Sequence, residues 1–400
     1  HHAAHPDRRI YGSETTSGVK SRGVYHFPLG TVFLTHDDLQ CSSLGNCRAG
    51  ASADTPQKIL AADLAAEFCA GMYIWTGSDY LGEPSPYSTR NSYYGSIDTA
   101  GLRKDSFWLY QAAWTDKPVL HLFPYWDFND GQLVDVCAYT NLESAELFVN
   151  GVSAGVRTPE EWTVSWQVPY KRGKITVAGY DKDGREYRDE QESFGSTAAL
   201  RLSCGKTALQ ADGRDFAAIV VTAVDGDGRP VRNARDRVTI TVEGARLVGF
   251  DAGDSTDYDS CKSSCRKLFS GMAAAYIMSS QQAGEITVRA FAEGVEPAAL
   301  TLKALPCEAV SGVSANESIA PQYSQEIPLR KIELTREGGA LVTPQQPEVR
   351  IRARLLPENA THRELCWSVV TPSGIKSSLA QVTPTEDGAL LKVQGDGEFR

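Results

Sequence analysis

No stretch of this 400-residue sequence stays apolar for anything near the roughly twenty residues that a membrane-spanning helix requires. It does not open on a charged-then-apolar leader either, and its first residues read as the middle of a domain. A basic surplus is missing too: 40 Lys and Arg face 50 Asp and Glu, giving a formal charge of −10. Without a basic stripe to offset that balance, nucleic acid and anionic membranes are disfavoured as partners. The nine cysteines form an odd set with none of the spacing of a disulfide framework. Reduced thiols and a cytoplasmic setting are therefore expected rather than secretion. Cys261 and Cys265 resemble half of a zinc site, but no second Cys or His pair follows, so thiols in ordinary packing are the reading.

A chain of this length exceeds what one hydrophobic core usually serves, so several domains are expected. The first stretch reads as α/β. A short strand-like run from Arg9 to Ser13 leads to Glu14, which places that carboxylate at a strand's carboxyl end. Asp54 with Gln57 reads as an N-cap and capping box for a helix carrying Leu60, Leu64 and Phe68 and ending near Gly71. Met72–Trp75 is continuously apolar, as a strand of a buried parallel sheet would be. One more helix fits Lys104–Trp114.

Beyond about residue 116 the pattern changes to short alternating strands with turn dipeptides, as β-sandwiches read. Strands are predicted at Val134–Tyr139, Glu146–Val149, Lys174–Tyr180, Phe216–Val224, Arg237–Val242 and Glu285–Ala292, with hairpins at Asn150-Gly151 and Asp183-Gly184. A Pro, Ser and Glu-rich linker follows. Alternation resumes at Val349–Leu355 and Leu365–Val370, in a module that reads as cut short.

Three segments then carry a specific resemblance. They are Tyr11-Gly12-Ser13-Glu14-Thr15-Thr16-Ser17 with Ser21-Arg22-Gly23-Val24-Tyr25-His26-Phe27-Pro28; Ile74-Trp75-Thr76-Gly77-Ser78-Asp79-Tyr80-Leu81-Gly82-Glu83-Pro84; and Tyr93-Tyr94-Gly95-Ser96-Ile97-Asp98-Thr99-Ala100-Gly101. Together with Pro124–Phe128 and Glu146–Gly151, in this order, they resemble glycoside hydrolase family 2, and β-galactosidases most. A lone glutamate at a strand end is more often a solvated surface carboxylate. The flanking matches are what raise Glu14 above that reading.

The resemblance implies the carboxyl-terminal portion of such an enzyme: a multidomain chain with a fragment of a TIM (β/α)8 barrel followed by immunoglobulin-like all-β sandwiches. Residues 1–115 would be the last part of the barrel, 116–198 and 199–305 two sandwiches, 306–326 a linker, and 327–400 an incomplete immunoglobulin-like module. It also implies a retaining exo-glycosidase of bacterial origin, acting on β-galactoside oligosaccharides or glycoconjugates. Glu14 would be the nucleophile, and Trp75 and Asp79 would contact substrate, the indole stacking on a pyranose and the carboxylate accepting from its hydroxyls. A core indole and a loop-capping aspartate are the plain alternatives for these two. Retaining enzymes also need a second carboxylate about 5–5.5 Å from the first. In the family that glutamate follows an Asn several βα units upstream of the nucleophile, and the sequence before Glu14 holds none; Asn316-Glu317 lies in the linker. The 400 residues alone are therefore expected to be inactive. Tyr25, His26 and Asp98 read as buried hydrogen-bonding groups, and Glu83 as a structural or rim residue.

Glucuronide-cleaving relatives carry an Asn-x-Lys motif just before the glycine matching Gly95, whereas this sequence has Asn91-Ser92-Tyr93. Without that lysine an anionic sugar lacks its partner, which favours galactose over the β-glucuronidase alternative. A carbohydrate-binding or buttressing sandwich array is the rival of another class: an exposed aromatic platform would favour binding, and burial of Trp126, Trp162 and Trp166 would favour buttressing. No cofactor is required. A Na, Mg or Ca ion is compatible but not assignable; Asp251, Asp254, Asp257 and Asp259 share a loop without the spacing of a calcium site. Nothing in the sequence sets an oligomeric state.

Overall fold

The strand Leu133–Thr140 is buried along nearly its whole length, and the reason organises the first half of the molecule. Its Val134, Val136 and Ala138 face one core, while Cys137 and Tyr139 on the opposite face join a second. Successive strand side chains point to opposite faces. An uninterrupted apolar run is therefore what a strand covered on both sides requires. In this computed structural model, residues 2–16, 18–35, 40–48, 54–308, 312, 327, 329–337, 342–343, 347–371 and 376–399 are described. The chain divides into two units, His1–Pro321 and Gln322–Arg400.

On one side of Leu133–Thr140 two antiparallel sheets face each other. The first is ordered Leu120–Phe123, Leu133–Thr140, Thr163–Pro169; the second is ordered Glu186–Glu192, Lys174–Tyr180, Ser144–Val149, Val152–Arg157. Ala145, Leu147, Ile175 and Val177 of the second sheet meet Val164, Trp166 and Val168 of the first in one core. On the other side, the helix Asp105–Trp114 brings Leu109 and Tyr110 against Phe123, Cys137 and Tyr139, together with Leu60 of the helix Pro56–Ala65. The predicted barrel end takes a smaller form. Among the described residues no barrel is present. Ile10–Thr15 and Cys69–Ile74 make a two-stranded parallel sheet, preceded on its second strand by the helix Pro56–Ala65.

Residues 199–305 form a larger sheet that curls around its own core, giving a chain that is β-rich throughout. In Phe216–Val224 the alternate residues Ala217, Ile219, Val221 and Ala223 are buried, and Ile286, Val288 and Ala290 do the same in Gly284–Ala292. Period-two burial is the signature of strands with one face on a core. The sheet's two halves touch through the single registered pair Ala199↔Glu296, so it works as two layers around shared apolar residues.

The second unit holds a four-stranded antiparallel sheet ordered Lys331–Arg336, Glu348–Leu356, Gly388–Val393, Ala380–Thr385. Leu365–Val370, expected as a strand, is not one. Its apolar Leu365, Trp367 and Val369 line a cleft with Ile351 and Leu391, so the alternation is used for packing without a ladder of backbone bonds. Most of the predicted linker, including Asn316-Glu317, lies outside the described residues. No helix among the described residues is long and apolar enough to cross a membrane.

Candidate active site

Glu14 lies on the strand Ile10–Thr15, one residue before its end, with its side chain exposed. Parallel pairing with Cys69–Ile74 sets Thr15 opposite Ile74, and the Trp75 amide donates to the Thr15 carbonyl at 2.7 Å. Glu14 and Trp75 therefore stand at the carboxyl ends of two adjacent parallel strands. Thr16, next along the chain, has φ 56°, a left-handed conformation that β-branched residues rarely adopt. It is held there by burial and by the Tyr110 hydroxyl, which donates to Thr16 Oγ1 at 3.3 Å. Backbone held in so sparsely populated a region is characteristic of functional turns.

Trp75 is half-buried and its peptide bond to Thr76 is cis. Its indole Nε1 donates to the Tyr80 hydroxyl at 3.0 Å, and the two rings meet edge to face at 5.9 Å. The Tyr80 hydroxyl in turn donates to Glu83 Oε2. Burial and that carboxylate push the Tyr80 phenol up to about 12. The indole is thus fixed edge-on by a Tyr–Glu relay rather than sunk in a core. Glu83 is exposed at the rim and orients Tyr80 from there.

Asp79 has a different environment. It is buried, and Oδ1 accepts from Lys104 Nζ at 2.7 Å and from the Gly95 amide at 2.8 Å. Burial pushes its carboxyl up to about 7 against the opposing pull of Lys104. The Lys104 ammonium also donates to the carbonyls of Lys20 at 2.6 Å and Tyr93 at 3.2 Å. Both members of the pair are side-chain buried, so Asp79 anchors the loop from beneath, and its bonds go to protein groups. At Gly95 an added Cβ would fall on the backbone of Ser78 and Asp79, so only glycine allows the two loops to meet.

Lys104 and Tyr80 carry weight that sequence reasoning gave to their neighbours. Lys104 had a signal: it directly precedes a helix, where its charge opposes the helix dipole unless a carboxylate compensates. The other groups expected to hydrogen-bond do so, Asp98 buried and Tyr25 and His26 half-buried. The Tyr25 hydroxyl donates to Asp105 Oδ2 at 3.0 Å; His26 Nε2 lies 3.0 Å from the Gln40 carbonyl; Asp98 holds Arg22 Nε at 2.6 Å.

The acidic loop is locked by arginines. Arg90 forks onto both oxygens of Asp251 at 2.9 and 3.0 Å, Arg235 holds Asp254, Arg266 reaches Asp257, and Arg237 holds Asp259. Cys261 Sγ lies 3.4 Å from an Arg90 nitrogen, and Cys265 Sγ 4.0 Å from one of Arg237. Guanidinium groups at these positions oppose a cation. Trp126 and Trp166 are buried in the first sandwich core and Trp162 is half-buried, which favours buttressing over a carbohydrate platform there.

Comparison with known proteins relates this chain to glycoside hydrolase family 2. Residues 200–301 match the model described as glycoside hydrolase family 2 C-terminal domain 5, and residues 131–188 match a domain of unknown function. Among relatives, the chain is 33% identical over 316 residues to the β-galactosidase BoGH2A of Bacteroides ovatus, covering 75% of this chain and 37% of that protein. It is 28% identical over 283 residues to a β-glucuronidase of Formosa agariphila, covering 69% of this chain and 27% of that protein. A crystal structure of a β-glycosidase from Bacteroides vulgatus superposes with a TM-score of 0.70 at 25% identity, over 76% of this chain and 43% of that one. The chain thus spans well under half the length of these relatives.

Proposed function

We propose that this chain belongs to a retaining exo-glycosidase that removes terminal non-reducing β-D-galactose, with Glu14 as the nucleophile. The observation that carries the reading is the parallel pairing of Ile10–Thr15 with Cys69–Ile74, which brings Glu14 and Trp75 to one edge. Barrel enzymes place their chemistry at the carboxyl ends of parallel strands. The pair also supports assigning residues 1–115 to the end of a (β/α)8 barrel, because parallel strands occur in sheets covered on both faces and here Tyr11 and Tyr73 are exposed. Residues 116–198 and 199–305 are assigned as immunoglobulin-like sandwiches, and 327–400 as a further module of that kind.

Glu14 would attack the anomeric carbon and form a covalent glycosyl intermediate, which water then hydrolyses with net retention. Trp75 would stack on the apolar face of the sugar, its plane set by Tyr80 and Glu83. Asp79 is proposed as a support for that loop more than as a sugar contact. A neutral sugar is supported by the charge near Asn91-Ser92-Tyr93: the adjacent cations, Arg90 and Lys104, are already engaged by Asp251 and Asp79. The second reading, a β-glucuronidase, rests on the Formosa agariphila relative.

The test is hydrolysis of chromogenic β-galactoside and β-glucuronide by the protein that contains this sequence, with and without Glu14→Gln. The galactoside is expected to be cleaved with retention, and the variant to lose about 10³-fold or more in kcat, as removal of a nucleophile does. An unchanged rate in the variant would overturn the site; preference for the glucuronide would overturn the sugar.

A further inference from the structure

In the first unit, a cleft of about 390 Å³ lies apart from Glu14, Trp75 and Asp79. That volume is within the range of roughly 300–1,000 Å³ typical of small-molecule sites. Its walls come from three separate stretches of chain: residues 22–25 with 101–105, residues 121–125 with Gln191, and Arg232 with Ser270 and Met272.

The charge on these walls is unbalanced. Arg22 is satisfied by Asp98 at 2.6 Å and by the Ala252 carbonyl at 2.7 Å. Asp105, the one carboxylate among the wall residues, is satisfied as well, by His121 Nε2 at 2.7 Å and the Tyr25 hydroxyl at 3.0 Å. Two guanidinium groups are left over. Arg232 is half-buried and hydrogen-bonds only to Met272 Sδ, at 3.3 Å, with no carboxylate in ion-pair range among the described residues. Arg103 lies over the rings of Phe107 and Trp108, at 4.5 and 5.5 Å, also without a carboxylate. Burial lowers the pKa of Arg232, and the more distant Asp105 carboxylate offsets this only in part. Beside them Tyr25 and Tyr125 meet edge to face at 5.5 Å and supply an apolar wall.

A guanidinium withdrawn from water without an anion is costly, and a forked donor is shaped for a planar or tetrahedral oxyanion. We propose that this cleft binds a small molecule of about monosaccharide size carrying a phosphate or carboxylate, held by Arg232 and, at the rim, by Arg103. The ligand's anion replaces the missing carboxylate, and its body packs on the tyrosines. The inference is independent of the glycosidase reading, because none of the residues assigned to catalysis lines the cleft.

The test is calorimetric titration of the full chain with glucose 6-phosphate, inorganic phosphate and glucose. Glucose 6-phosphate is expected to bind and glucose not to, and Arg232→Gln to weaken the sugar phosphate at least about tenfold, as loss of a charge-assisted bidentate contact does. If phosphate alone binds as tightly, the oxyanion site at Arg232 is upheld and the packing of a ligand body on the tyrosines is overturned. Should Arg232→Gln not fold, Arg103→Gln at the exposed rim is expected to weaken binding several-fold. Equal binding of glucose and its phosphate, full affinity in a folded variant, or no anion binding at millimolar concentration overturns the proposal.

Discussion

Lys104 is the most connected side chain beneath the candidate site, tying the loop after Trp75 to Asp79, Lys20 and Tyr93 through one ammonium group. Its neighbour Lys20 is buried too, its ammonium 5.9 Å from the centre of the Tyr110 ring. Burial, and then repulsion from Lys104, bring the Lys20 ammonium down to about 7. The native state therefore binds fewer protons than the unfolded chain between about pH 7 and the ordinary lysine value, and stability contributed by Lys20 rises with pH across that window. Asp79, raised to about 7, has the opposite slope: its contribution is full below the ordinary aspartate value and is lost as pH rises toward 7. Lys20→Met should then stabilise the protein by about 1–3 kcal/mol at pH 7 and by little at pH 10, the discount reflecting the usual spread of mutational effects. Urea unfolding at the two pH values checks this; an equal gain at both would show that packing, not charge, is responsible.

At the scale of elements, the helix Pro56–Ala65 shows how a motif can be right in kind and wrong in register. Thr55, not Asp54, is the N-cap: its Oγ1 accepts from the Lys58 amide at 3.4 Å, while Asp54 Oδ1 takes the Thr55 amide at 2.9 Å. Pro56 then occupies the first turn, where its missing N–H costs nothing. The helix stops at Ala65 rather than near Gly71, since Cys69 already begins the strand. Thr55→Ala should cost about 1 kcal/mol, measured by chemical denaturation, whereas Asp54→Ala should cost less. Regular strands were more legible: Lys174–Tyr180 and Phe216–Val224 keep their predicted bounds, because β-branched apolar runs bounded by turn residues need no long-range information. What the sequence could not show was which groups are claimed. Asp79 and Glu14 both read as carboxylates near strand ends, and only packing reveals that Lys104 engages Asp79 while Glu14 stays exposed.

For the whole molecule, the site loop meets the large sheet through an arginine–aspartate pair and the hydrogen bonds around it. Arg90 holds Asp251, the Arg90 amide donates to the Ser255 carbonyl at 3.0 Å, the Ser255 hydroxyl donates to the Asn91 carbonyl at 3.1 Å, and the Tyr258 hydroxyl reaches the Ser88 carbonyl at 2.9 Å. Arg90→Met should cost about 3 kcal/mol, as removing one partner of a buried ion pair does. Hydrogen exchange should quicken across residues 88–98 while Phe216–Val224 keeps its protection; uniform loss of protection would instead mean that the sandwich itself depends on this pair. The same junction sets an order of assembly. Residues 88–98 leave the ribosome some 160 positions before the segment that clamps them, and contacts so distant along the chain form late. During synthesis residues 88–98, which meet the Asp79 loop at Gly95, must wait unclamped for the segment around Asp251.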